Sequence, residues 1–170
     1  IIGIIIPIMC FYMLPNINIL TDPLSKFGIA QETRFIWMAF LQVLAILLYL
    51  SNLNRIDKIK KNINKLELTI LTIINILSSV SLSLTGLIDM SIKYVHLGFA
   101  GIFFLAYTGF IFWWGFLNIK TNLKEATLSI AIALLILISS IITINFTSFG
   151  YGISEIIFII LIIYWNSKVS

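Results

Sequence analysis

Residues 85–107 (TGLIDMSIKYVHLGFAGIFFLAY) join two long apolar runs through a short polar break. The break carries Asp89 and Lys93, and His96, the single histidine of the chain, follows at the start of the next run. Two apolar runs joined so closely are typical of a transmembrane helical hairpin. The stretch therefore predicts a membrane bundle of α-helices with a polar hairpin turn at one end.

The composition agrees with a membrane environment. Hydrophobic residues make up 60% of the 170 residues and charged residues 11%, and the mean hydropathy is +1.08. A soluble domain carries roughly 25% charged residues, so much of this surface must face lipid. The net charge of +4 comes from cations in the loops between apolar runs. It indicates membrane topology rather than nucleic-acid binding.

Six apolar runs predict an all-α, polytopic six-helix bundle that forms a single domain over residues 1–170. The helices are expected at residues 1–14, 35–53, 68–88, 94–117, 126–146 and 153–166. The first run would span only about 21 Å as a helix, less than the roughly 30 Å bilayer core. We therefore expect the first helix to be truncated or to continue toward Leu20. A cleaved signal peptide fits poorly, because no small-residue cleavage pattern is present.

The distribution of lysine and arginine predicts the orientation. Six helices place both termini on one side of the membrane. Eight Lys and Arg residues lie on that side, in the loops 54–66 and 118–125 and in the tail, against three on the other side. By the positive-inside rule both termini are expected in the cytoplasm.

This topology gathers polar side chains at the extracytoplasmic end. The predicted ligand-binding set consists of Ser25, Arg34, His96 and Glu155, with Asp22, Asp89 and Lys93 as secondary members. A carboxylate that reaches the bilayer core costs roughly 2.5 kcal/mol or more, so Glu155 should have a partner or a wet cavity. The candidate partners are His96, Arg34 and Lys93.

Each member of this set also has a structural interpretation. Asp22 precedes a proline, and its side chain is suited to capping a turn. Arg34 and Lys93 are placed as interfacial anchors. A single histidine is often held by a loop carbonyl, and Glu155 could form a salt bridge that ties the sixth helix to its neighbours.

The third run carries a polar stripe. Asn75, Ser79, Gly86 and Asp89 recur at three-, four- and seven-residue steps, which places them on one helix face. Such a face is expected to contact neighbouring helices rather than lipid. The single cysteine, Cys10, excludes an internal disulfide and is interpreted as a buried, inert thiol.

Several short motifs resemble one protein family. They are Pro23-Leu24-Ser25-x-x-Gly28, Thr33-x-Phe35, Gly86 followed by His96, Gly152-Ile153-Ser154-Glu155, and Trp165. Together they look like the signature of a bacterial and archaeal six-helix family, domain of unknown function 998. The resemblance implies a prokaryotic membrane protein and implies no established reaction.

Two positions depart from that family pattern. Lys26 stands where an acidic residue often follows the loop serine, and Ile156 stands where an arginine follows the glutamate of the sixth helix. Any charge pair that the family builds from these positions is therefore not expected in the same form. The outward loop and the histidine are more distantly similar to the family of damage-regulated autophagy modulators.

The favoured function is non-enzymatic binding of a lipid headgroup or small amphiphile at the outward polar end. A lipid hydrolase or transferase that uses Asp22, His96 and Glu155 is an alternative, although no closely spaced metal or nucleophile motif is present. An accessory subunit of a larger membrane complex is another. Transport ranks below binding, because ionisable groups are missing from the predicted helix centres.

No cofactor or metal is expected. A retinal Schiff base needs a mid-helix lysine, and paired axial haem ligands need a second histidine. The expected partner is membrane lipid, or further membrane subunits in the accessory-subunit alternative, and no nucleic acid.

Overall fold

The chain folds into α-helices, as a computed structural model shows for residues 2–18, 22–88, 92–145 and 151–169. A short 3₁₀ helix at Leu24–Gly28, here termed the loop helix, precedes α2. The six α-helices over the described residues are α1 (Ile2–Met13), α2 (Arg34–Ile59), α3 (Lys65–Leu87), α4 (Lys93–Asn118), α5 (Leu123–Asn145) and α6 (Tyr151–Lys168). The predicted all-α architecture of six helices is confirmed.

Four of these helices, α2 to α5, are long and apolar enough to cross a membrane. They are consistent with a helical membrane protein. The helix α6 has 18 residues, which corresponds to roughly 27 Å at 1.5 Å per residue. The helix α1 ends at Met13, and residues 14–18 form turns and coil, so within the described residues the first helix does not continue toward Leu20.

The second helix is longer than predicted. It runs to Ile59, whereas the loss of hydropathy after Leu53 suggested an end at that residue. The polar segment after Leu53 contains no glycine or proline, so nothing in it stops a helix. Hydropathy marks the end of the apolar part, and the helix itself continues beyond it.

A capping box explains why α3 starts at Lys65, before its apolar part. The Asn64 side chain accepts a hydrogen bond from the main-chain N–H of Glu67 at 2.9 Å. The Glu67 carboxylate accepts one from the Asn64 N–H at 2.8 Å. This reciprocal pair satisfies two donors at the helix N-terminus.

Consecutive helices pack against each other from α1 to α6. Two members of the polar stripe of α3, Asn75 and Gly86, contact α2, and Asp89 lies outside the described residues. Asn75 is fully buried and accepts a hydrogen bond from Asn52 of α2 at 3.1 Å. A Cβ atom on Gly86 would lie 2.9 Å from the Cβ of Leu41. The two helices therefore approach closely at Gly86, where a larger residue does not fit.

The contact between α4 and α5 is equally close at Gly115. A Cβ atom there would lie 2.9 Å from Ile130 Cγ1 and 3.0 Å from the carbonyl oxygen of Ala126. We expect Gly115→Ala to lower the free energy of unfolding by about 1–3 kcal/mol, because the backbones must separate. Denaturation in mixed micelles measures the change. Gly109→Ala is the control, since a Cβ on Gly109 contacts nothing within 4 Å, and an equal loss in both variants would contradict the interpretation.

Candidate functional site

A cavity of about 120 Å³ lies inside the bundle. Its walls are mostly apolar and come from α1, α2, α3, α4, α6 and the loop helix. Along α2 the lining extends from Trp37 to Leu48, which corresponds to roughly 16 Å at 1.5 Å per residue. The cavity is therefore elongated along the helix axes.

One end of this cavity is polar. Ser25 of the loop helix, Thr85 of α3, His96 of α4 and Glu155 of α6 all line it. Three of them, Ser25, His96 and Glu155, belong to the set predicted from the sequence. The fold thus brings together side chains from three segments that are far apart along the chain.

Glu155 holds the loop helix against α6. Its Oε2 atom accepts a hydrogen bond of 2.6 Å from the main-chain N–H of Leu24, the first residue of the loop helix. The predicted partners were His96, Arg34 and Lys93, and the structure gives Glu155 this main-chain N–H instead. The contact satisfies the first N–H of the loop helix from another helix, so Glu155 is a tertiary cap on the loop helix.

His96 caps α3. Its Nδ1 atom lies 2.9 Å from the carbonyl oxygen of Ile88, the C-cap residue of α3. A carbonyl oxygen only accepts hydrogen bonds, so Nδ1 carries the proton, and in the neutral imidazole Nε2 is then an acceptor. This contact agrees with the structural interpretation of His96, in which a backbone carbonyl holds the imidazole.

The loop helix is also packed through its apolar side. Leu24 and Phe27 are buried, and the ring of Phe27 lies 5.2 Å from that of Trp37 of α2. Thr33 donates a hydrogen bond of 2.7 Å to the carbonyl oxygen of Phe27. These contacts pack the loop helix against α2 and α6, and its Ser25 lines the polar end of the cavity.

Arg34 takes a different position from the other three predicted residues. It is exposed and lines a second, smaller cavity of about 20 Å³ together with Ser25 and His96. Ser25 and His96 line both cavities. Arg34 therefore lines the smaller cavity and not the main one.

The secondary residues do not line either cavity where they are described. Asp22 forms an ion pair with Lys26 at 2.6 Å, and this hydrogen bond lowers the pKa of the Asp22 carboxyl. Lys93 is exposed at the start of α4, and Asp89 lies outside the described residues. Within the described ranges, no three His, Cys, Asp or Glu side chains are close enough to hold a metal ion, so Asp22, His96 and Glu155 do not form a metal site.

At the opposite end of the bundle the structure shows a buried cation that the sequence analysis placed in a loop. Arg55 is 4% exposed and lies within α2. It donates hydrogen bonds to the carbonyl oxygens of Val169 at 2.8 Å and Asn166 at 3.4 Å. Its guanidinium also lies 4.5 Å from the centre of the Trp165 ring. Arg55 therefore caps the C-terminus of α6 instead of serving as a loop cation.

Further polar groups join Arg55 to its neighbours. Ser51 accepts from the guanidinium at 2.5 Å, and Asn166 donates to the hydroxyl of the fully buried Tyr107 at 3.0 Å. Trp165 donates to Ser129 of α5 at 2.8 Å. One sequence signal could have predicted this network: Ser51 and Arg55 are four residues apart, one turn of a helix. The signal applies only if α2 continues past Leu53.

These features define a class: a helical protein with four possible membrane spans and an apolar cavity that is polar at one end. No family profile, curated protein or solved structure matches this chain. The resemblance to the six-helix family remains a prediction.

Proposed function

We propose that this protein binds a single-chain amphiphile in the main cavity, with the alkyl chain between α2, α4 and α6. The main support for this proposal is that the apolar walls of the cavity lead to one polar end, which is formed by Ser25, Thr85, His96 and Glu155. An apolar cavity of roughly 150 Å³ can hold one benzene molecule. A volume of about 120 Å³ therefore suits a segment of one alkyl chain and not a two-chain lipid.

The polar end favours a headgroup that donates hydrogen bonds. Glu155 contributes carboxyl oxygens, and Nε2 of His96 is an acceptor in the Nδ1–H tautomer that the Ile88 carbonyl selects. Thr85 already donates its hydroxyl proton to the carbonyl oxygen of Ser81 at 2.8 Å, so its oxygen is left to accept. A hydroxyl-bearing or amine-bearing head matches these acceptors.

The proposed setting is the cell membrane, with the polar end on the extracytoplasmic side. The connectivity puts the C-termini of α2, α4 and α6 and the N-termini of α3 and α5 at the other end. That end carries most of the lysines. If the buried Arg55 is not counted as a loop cation, seven Lys and Arg residues lie on that side and three on the other. This count supports the same orientation.

Filling the cavity tests the proposal. We expect Leu44→Trp to reduce labelling by a monoacylglycerol with a photoreactive chain at least tenfold, because Leu44 lines the cavity. The control is Leu47→Trp, on the same helix but 47% exposed and outside the lining, which should label like the parent protein. Labelling is measured by mass spectrometry in phosphatidylcholine nanodiscs. Equal labelling of both variants, or stronger labelling by a photoreactive fatty acid, would contradict the proposal.

A hydrolytic role has weaker support from the geometry. An acid that orients a catalytic histidine accepts the imidazole Nδ1 proton, but here the acceptor is the Ile88 carbonyl. Glu155 is engaged by Leu24 instead. Binding without chemistry is therefore the function that this arrangement supports best.

A further inference from the structure

A groove of about 350 Å³ lies between α4 and α5 and reaches the start of α6. Its rim includes Leu105, which is 68% exposed, and Leu137, which is 38% exposed. Both helices are candidate membrane spans, so apolar side chains exposed on them face lipid in a membrane. The groove is therefore open toward the acyl chains of the bilayer.

Three of the hydroxyl groups that line this groove donate to carbonyl oxygens of their own helices. Thr108 donates to the carbonyl oxygen of Phe104 at 2.7 Å, Ser140 to that of Ile136 at 2.9 Å and Thr143 to that of Ser139 at 2.8 Å. Such bonds satisfy the donors within the helix, which leaves a mainly apolar surface. This surface is suited to an alkyl chain.

Three residues line both the groove and the main cavity: Ala100, Phe104 and Glu155. The Phe104 ring lies only 4.0 Å from that of Phe158, tilted by 32°, and the two rings form part of the wall between the spaces. Ala100 adds little bulk to that wall. Because Glu155 belongs to both linings, a headgroup can keep one contact while its chain occupies either space.

We infer that the groove between α4 and α5 is a membrane-side binding site for the alkyl chain of the amphiphile. It is the route by which the chain reaches the main cavity, past Phe104. This inference rests on the proposed function of the cavity. A lateral route also agrees with the packing of the loop helix, because its Leu24 and Ser25 line the polar end and Glu155 accepts from the Leu24 N–H.

Blocking the groove tests the route separately from the cavity. Gly101 lines the groove but not the cavity, and a Cβ there contacts nothing within 4 Å. Gly101→Leu should slow the time course of labelling of α2 by the photoreactive monoacylglycerol at least tenfold. The final level of labelling should stay within twofold of the parent protein. Gly98→Leu is the matched control, since Gly98 is equally open and lies outside the groove lining.

A second variant opens the wall instead of blocking the groove. Phe104→Ala should speed the labelling of α2 at least threefold. Unchanged rates in both Gly101→Leu and Phe104→Ala would overturn the lateral route, while saturable labelling of α2 in the parent protein would still support the cavity. Absence of saturable labelling in the parent protein would overturn the proposed function and the route with it.

Discussion

Replacing Glu155 with alanine is expected to release the loop helix and raise the amide hydrogen-exchange rate of residues 24–28 at least tenfold. The change removes the acceptor for the Leu24 N–H, which lies 2.6 Å from the carboxylate. A buried N–H that is left without its acceptor costs roughly 1–3 kcal/mol, and about 1.4 kcal/mol corresponds to tenfold in a local opening equilibrium. Hydrogen exchange followed by mass spectrometry in nanodiscs measures the rates.

Glu155→Gln separates anchoring from ligand binding. Its side-chain carbonyl still accepts from Leu24, so exchange over residues 24–28 should stay within about threefold of the parent protein. Labelling by the monoacylglycerol probe should fall, because the amide replaces one acceptor oxygen by a donor NH₂ group. Glu32→Ala, at an exposed position in the same loop, is the control for general charge effects. Unchanged protection in Glu155→Ala would show that the apolar contacts alone hold the loop helix.

Arg55→Ala is expected to lower the free energy of unfolding by about 3 kcal/mol or more. The substitution leaves the carbonyl oxygens of Asn166 and Val169 without the donors that now reach them. A buried polar group that loses its partner costs roughly 1–3 kcal/mol. The variant also loses the contact with the Trp165 ring. Denaturation in mixed micelles measures the loss.

Arg55→Lys tests whether geometry or charge stabilises this end of the bundle. An ammonium group is a point charge and cannot reproduce a planar fork that bonds two carbonyls and stacks on a ring. We expect it to recover less than half of the lost stability. Lys58→Ala, on the exposed side of α2, should stay within about 0.5 kcal/mol of the parent protein. A similar loss in Lys58→Ala would show that net charge, and not the Arg55 contacts, matters.

The site could be predicted in part because chain direction alternates between consecutive helices. Once six helices are recognised, three segments must lie at the same end of the bundle. They are the loop with Ser25, the start of α4 with His96 and the start of α6 with Glu155. The contacts could not be predicted in the same way. Whether Glu155 meets His96 or the Leu24 N–H depends on the rotation of α6 about its axis, which residues from other helices determine.

The errors have the same origin. The sequence analysis ended the second helix at Leu53, because the apolar run ends there and polar residues follow. The structure shows that Arg55 beyond this point is buried, since the C-terminus of α6 supplies acceptors for its guanidinium. In a sequence, a charged residue that is buried through tertiary hydrogen bonds cannot be told from one that lies in an exposed loop.

By itself the sequence determined the all-helical class, the number of helices and the shared end at which Ser25, His96 and Glu155 lie. These properties follow from local hydropathy and from the reversal of direction at each turn. Only the tertiary structure decided that Glu155 caps the loop helix, that Arg55 caps α6 and that Phe104 lies between a cavity and a groove. Those outcomes depend on how helices that are distant in the chain rotate and pack against each other. Local patterns of hydropathy and charge do not contain that information.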